Sequence, residues 1–214
     1  MARITVLGGT GYGGSAVVKE ALKRGHEVTA VSRRQPENPV EGVDYAIGSV
    51  LDTDFLGEVV AGRDVVFEAV SPRGDMAGKE EGLVDDLIRL AADSGFRLGV
   101  LGGASSLLVE PGGKRLFDVS DFPAELLPEV ETGMVLLDTL KATSEDLDWF
   151  YVSPAATFGA WAPVEETGSY RISDDVLLTD AEGNSTISAG DLAHAVLDEV
   201  EQPTYRRRRF HVAL

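Results

Sequence analysis

Close to the start of the chain an apolar run, Arg3–Leu7, gives way to "GGTGYGG" at residues 8–14, and a helix-like pattern follows from Gly13 to Arg24. Five glycines in seven residues would weaken the interior of any strand or helix, so this stretch is a turn between the two. Strand, glycine turn and helix in that order open a βαβ unit. Gly9, Gly11 and Gly14 fit G-x-G-x-x-G, while Gly8, Gly11 and Gly14 fit G-x-x-G-x-x-G. In either register the backbone can approach a pyrophosphate closely, and the amides of the helix N-terminus face the anion. The feature therefore points both to a fold and to a dinucleotide ligand.

The rest of the chain repeats the alternation. Strand-like runs fall at Glu27–Ser32, Val43–Ile47, Asp64–Val70, Phe96–Leu101, Trp149–Val152 and Arg209–Ala213. Helical periodicity fits Thr53–Ala61, Met76–Ser94, Phe122–Thr143 and Ala189–Gln202. Runs such as "VVFEAV" and "LGVLGG" lack clean alternation, as expected of parallel strands covered on both faces. The expectation is an α/β Rossmann fold, a doubly wound and mostly parallel sheet, in one domain over residues 1–214. Residues 157–190 are long and turn-rich, with short strands expected at Ser169–Ser173 and Val176–Leu178, and read as a small C-terminal substrate-side cover.

Composition removes several function classes. The chain has no cysteine, hence no disulfide, thiolate metal site or cysteine nucleophile. His26, His194 and His211 are scattered without ligand spacing, so no metal is expected. A net charge of −17 repels a phosphate backbone and argues against nucleic acid. The N-terminal apolar run is too short for a signal peptide or a membrane span, so the reading is a cytoplasmic protein with no membrane partner. A monomer or a small homo-oligomer is compatible with all of this. The run Arg206–Arg209 reads as a salt-bridged or solvated strand entry.

The end of the second strand bears on which dinucleotide binds. An acidic residue there would pair with the ribose 2′-hydroxyl of NAD, but this chain carries Ser32, Arg33 and Arg34. Arginine suits a 2′-phosphate, so NADP(H) is expected over NAD(H).

These residues resemble the atypical branch of the short-chain dehydrogenase/reductase superfamily, whose loop reads G-[GA]-T-G-x-x-G. Four further stretches resemble the bacterial NAD(P)H-binding, putative NADH-flavin reductase family nearly end to end: "VLGGASSLLVEPGGKRLFDVSDFPAEL" (100–126), "LDWFYVSPAATF" (147–158), "TGSYRISDDVLLTDAEGNSTISAGDLAHAVLDEVEQP" (167–203) and the late "RRRRF". The family is also similar to biliverdin reductase B. The resemblance implies NADP binding through Gly8, Thr10, Gly11, Tyr12 and Gly14, with Arg33 after the second strand. It implies an adenine contact at Ser49 and Val50, where serine replaces the usual aspartate, and ribose and phosphate contacts at Val70 and Ser71. It puts Gly103 and Ala104 beside the nicotinamide ribose and Pro154 and Ala155 at the carboxamide.

One element is missing. None of Tyr12, Tyr45, Tyr151, Tyr170 and Tyr205 has a lysine four residues on, and Leu137 stands four before Lys141 where such a tyrosine would be needed. Ketone–alcohol chemistry, which uses that pair for proton transfer, is disfavoured. Hydride transfer to a flavin or quinone survives, because it needs mainly stacking and proximity. Ser105 is the candidate catalytic side chain, set against a plain turn residue, and Ser106, Phe158 and Trp161 are the candidate acceptor contacts. A dinucleotide-binding regulator without turnover, like NmrA-type proteins, is the alternative.

Overall fold

The computed structural model describes all 214 residues. Its strands are β1 (Arg3–Leu7), β2 (Glu27–Ser32), β3 (Asp44–Ile47), β4 (Val65–Glu68), β5 (Arg97–Leu101), β6 (Trp149–Ser153), β7 (Arg171–Ser173) and β8 (Arg208–Ala213). All belong to one sheet in the order β3-β2-β1-β4-β5-β6-β8-β7. Every neighbouring pair is parallel except β7 with β8. The order reverses between β1 and β4, so the crevice that receives ligands in open α/β sheets opens beside the glycine turn.

The helices are α1 (Tyr12–Lys23), α2 (Thr53–Val60), α3 (Glu80–Ser94), α4 (Leu116–Val119), α5 (Leu127–Lys141) and α6 (Ala189–Glu201). Each longer helix buries one stripe against the sheet, as amphipathic spacing requires. On one face Val17, Val18 and Ala21 of α1 and Leu192, Val196 and Leu197 of α6 pack against Ile4, Val6 and Phe67. On the other, Leu56 of α2, Leu83 and Leu87 of α3 and Leu136 and Leu140 of α5 pack against Leu7, Val66 and Leu98. Both sheet faces are therefore covered, which explains why these strands do not alternate apolar with polar residues. No helix is long and apolar enough to cross a membrane.

The strand and helix boundaries read from sequence lie within two residues of these, with three exceptions. The helix expected over Met76–Ser94 starts only at Glu80, after a 3-10 turn at Gly74–Met76, because Gly74 and Gly78 adopt φ of +59° and +70° and interrupt the helical path. The helix expected over Phe122–Thr143 starts at Leu127. Pro128 falls in its first turn, the place where a missing N–H costs nothing. Val176–Leu178 forms no strand: Val176 makes a single bridge to Leu108, flanked by Leu108 N–H to Asp175 O and Leu177 N–H to Leu108 O, both 2.8 Å.

The arginine run before β8 is tied into the chain itself. Arg206 pairs with Asp148, Arg208 with Asp174 and Arg209 with Asp175, while Arg207 donates to the carbonyls of Thr143, Ser144 and Leu147.

Candidate functional site

A groove of about 910 Å³ runs over the carboxyl ends of β1, β2, β4 and β5. Its floor begins at the glycine turn. Gly8 has φ +75°, and a Cβ there would lie 2.6 Å from Ala69 O, so β1 and β4 can meet this closely only with glycine at that position. Gly14 is equally constrained, since its Cβ would fall 2.3 Å from Gly8 O. The N–H groups of Gly8 and Gly9 both reach Val31 O at 3.1 Å, which locks the turn onto the end of β2.

Helix α1 then starts with no side-chain cap on Gly11 and no acidic residue in its first turn. Ser15 N–H makes the first helical hydrogen bond, to Gly11 O at 2.9 Å. The preceding amides stay open at the positive end of the helix, next to a cradle shaped by glycines. In a chain this acidic, that uncompensated end is a local place where an anion is welcome. The residues present therefore fit a pyrophosphate.

Of the residues expected at a dinucleotide, Gly8, Thr10, Gly11, Tyr12, Arg33, Ser49, Val50, Val70 and Ser71 line the groove. Gly14 lies one layer beneath, against Gly8. Ser49 is exposed and its Oγ accepts from Leu51 N–H at 3.2 Å. Arg33 is exposed at the end of β2 and forms an ion pair of 2.5 Å with Asp75. Arg34 is exposed off the groove, and its carbonyl accepts from Ser32 Oγ at 2.7 Å.

The residues expected around the nicotinamide and acceptor are placed differently. Gly103, Ala104, Pro154 and Ala155 do not line the groove, which stops on this side at Leu101 and Gly102. Gly103 N–H is held by Tyr151 Oη at 3.2 Å, and that hydroxyl donates in turn to Gly133 O at 2.7 Å. A Cβ on Gly102 would fall 1.7 Å from the same hydroxyl, so glycine is required there for packing. Pro154 is buried and Ala155, 2% exposed, packs into the core under α1 and α6.

Ser105 and Ser106 turn inward. Ser105 is buried and its hydroxyl donates to Val130 O at 3.3 Å; Ser106 Oγ accepts from Arg209 at 2.6 Å. Neither lines the groove. In the helix that would carry a tyrosine–lysine pair, Leu137 is a buried core residue.

Phe158 and Trp161, from the start of the 157–190 segment, do line the groove. Phe158 sits against Tyr12 with ring centroids 5.2 Å apart and planes at 57°, and a Cβ on Gly13 would meet Leu101 at 2.9 Å and Phe158 at 3.3 Å. Trp161 is 67% exposed, so most of its indole surface is open to contact. The later part of the segment lies away from the groove, with β7 on the sheet edge against β8.

Of the other lining residues, Arg73 falls in the 69–74 stretch expected along the ribose and phosphates, while Asp75 and Glu129 carried no sequence signal. Arg73 and Asp75 follow β4, and Arg73 forms an ion pair of 2.5 Å with Glu129 in the first turn of α5. The 71–78 connection is thus tied to both walls, to Arg33 through Asp75 and to α5 through Arg73.

Residues 8–203 match the NAD(P)H-binding family. The chain is 38% identical over 216 residues to the uncharacterized protein YwnB of Bacillus subtilis, covering 98% of this chain and 97% of that one. Among solved structures it is similar to a putative NADH-flavin reductase from Streptococcus pneumoniae, at 30% identity and a TM-score of 0.88 over 100% of this chain and 99% of that one. A protein from Burkholderia pseudomallei described as a putative exported protein gives 36% identity and a TM-score of 0.87 over 100% of both chains.

Proposed function

The chain belongs to the NAD(P)H-binding family, and from that premise we propose that it is an NADPH-dependent reductase that delivers hydride to a planar aromatic acceptor, a flavin or a quinone. The carrying observation is the groove itself. It joins an anion cradle at residues 8–14 to an aromatic wall of Tyr12, Phe158 and Trp161. When bound, the dinucleotide supplies the hydride. The open amides at the start of α1 hold its pyrophosphate, and Arg33 takes the 2′-phosphate in exchange for Asp75. Phe158 and Trp161 supply flat apolar surface on which an aromatic acceptor is ordered. The remaining proton is exchanged with water; the acid that lines the groove from α5, Glu129, is engaged by Arg73. The similarity to the putative NADH-flavin reductase of Streptococcus pneumoniae supports the flavin.

The inward-turned Ser105 and Ser106 also favour a second reading, a dinucleotide sensor without turnover. NADPH oxidation with FMN, riboflavin and a simple quinone in turn, beside an NADPH titration, separates the two. Saturable, acceptor-dependent oxidation supports the reductase; tight binding with no oxidation supports the sensor.

A further inference from the structure

Beneath the groove floor lie two acids that the proposed chemistry does not use. Glu68, the last residue of β4, is 0% exposed. Its Oε1 accepts the N–H of Val70 at 2.7 Å, while its Oε2 is buried with no partner. Glu80, the first residue of α3, is 3% exposed. Both belong to the face on which α3 and α5 cover the sheet. Ala69 and Val70, which follow Glu68 directly, form groove wall against Gly8.

The charged and titratable groups around the pair are mostly acidic. Glu129 on α5 and Glu81 on α3 act on Glu80, Glu80 acts on Glu68, and the buried Tyr151 phenol of β6 feels both. Among the cations, Arg209 acts on Tyr151, Lys79 precedes Glu80 in the chain, and Arg73 is already engaged by Glu129. Burial first, then this company, pushes the Glu80 carboxyl up to about 8 and the Glu68 carboxyl well above its ordinary range.

We propose that Glu68 and Glu80 are positioning residues that couple proton binding to dinucleotide binding, an occupied groove and a protonated pair each favouring the other; this rests on the dinucleotide reading of the groove. The direction follows from charge. A pyrophosphate above the pair adds negative potential and strengthens the hold of the acids on their proton. It also competes with Glu129 for Arg73, which leaves the Glu129 charge facing Glu80. By linkage, deprotonation of Glu80 weakens the dinucleotide by the same factor. No histidine or lysine lines the groove to supply a competing proton in this range.

The probe is NADH, which lacks a 2′-phosphate and so brings no titration of its own here. Its affinity is measured from pH 6.5 to 9, and its binding heat at pH 8 in two buffers of different ionisation enthalpy. The wild-type chain takes up a fraction of a proton per NADH at pH 8 and binds about three- to tenfold more weakly at pH 9 than at pH 7. Glu80→Gln removes both effects; Glu68→Gln provides the same comparison if the first variant does not fold. Proton uptake retained in the glutamine variant, or wild-type binding that is flat with pH, overturns the coupling alone. Binding of neither NADH nor NADPH at pH 6.5 overturns the reading of the groove and the coupling with it.

Discussion

The two ends of the groove are built from different materials. The end at β1 and β2 is main chain: a glycine turn, open helix amides, and one arginine at a strand end. The end at β5 and the 157–161 stretch is side chain, with Phe158 on Tyr12 and an exposed Trp161. Polar groups that could have served that end are consumed in packing: Ser105 on Val130, Ser106 on Arg209, and the Tyr151 hydroxyl between Gly103 and Gly133. Main-chain groups recognise what all dinucleotides share. Flat apolar side chains select by shape and leave the chemistry to the partners they bring together.

The largest expected effect lies under the boundary between the two ends. Folded Glu80 keeps its proton to about pH 8, whereas the unfolded chain releases it near 4.5. Between those values the native state holds the extra proton, so wild-type stability falls as pH rises and is level again above about 8. Relative to Glu80→Gln the loss is on the order of 4 kcal/mol across that window. Parallel denaturation of both proteins at pH 4.5 and pH 8 reads it, and parallel pH profiles would refute it.

Gly14→Ala attacks the main-chain end, because the new Cβ cannot coexist with Gly8 O at 2.3 Å. NADPH affinity should fall about a hundredfold, a change of roughly 2.7 kcal/mol. Tight binding by this variant would break the assignment of the turn. Arg33→Glu should cost NADPH about ten- to thirtyfold, roughly 1.4–2 kcal/mol, the lower part of what hydrogen bonds to charged groups contribute, while NADH changes far less. Equal losses for both would show that Arg33 does not read the 2′-phosphate.

Trp161→Ala tests the side-chain end, and should raise the acceptor KM about five- to tenfold with NADPH affinity unchanged, the loss of one stacked aromatic contact. If both constants move together, the two ends are not separable. Asp75→Asn should tighten NADPH only about two- to fourfold, since the Arg33–Asp75 pair that it frees is exposed and solvent-screened. A titration at low salt measures it.

Much of the main-chain end was legible in the sequence because its signals are local. Five glycines between a strand and a helix leave few backbone options, and the covered strands announce themselves by unbroken apolar runs. Arg33 could be placed because strand β2 ends beside β1 in any fold of this topology. The start of α5 was also written there in Pro128, although the apolar pattern alone drew the helix five residues too early. The side-chain end was less legible. Ser105 and Ser106 stand at a strand end in the sequence, but whether a hydroxyl faces ligand or core depends on what α5 and β8 present to it.

By itself, then, the sequence determined the doubly wound sheet and the glycine cradle, both set by spacing and backbone preference within a few tens of residues. Only the tertiary structure decided that Arg73 meets Glu129 across 56 positions, that Asp75 holds Arg33 across 42, and that Glu68 and Glu80 share one dry place under the groove. The physical reason is burial. A glutamate in "VVFEAV" looks like any strand-end residue until helices close over it, and only then does removing water turn its charge into a cost.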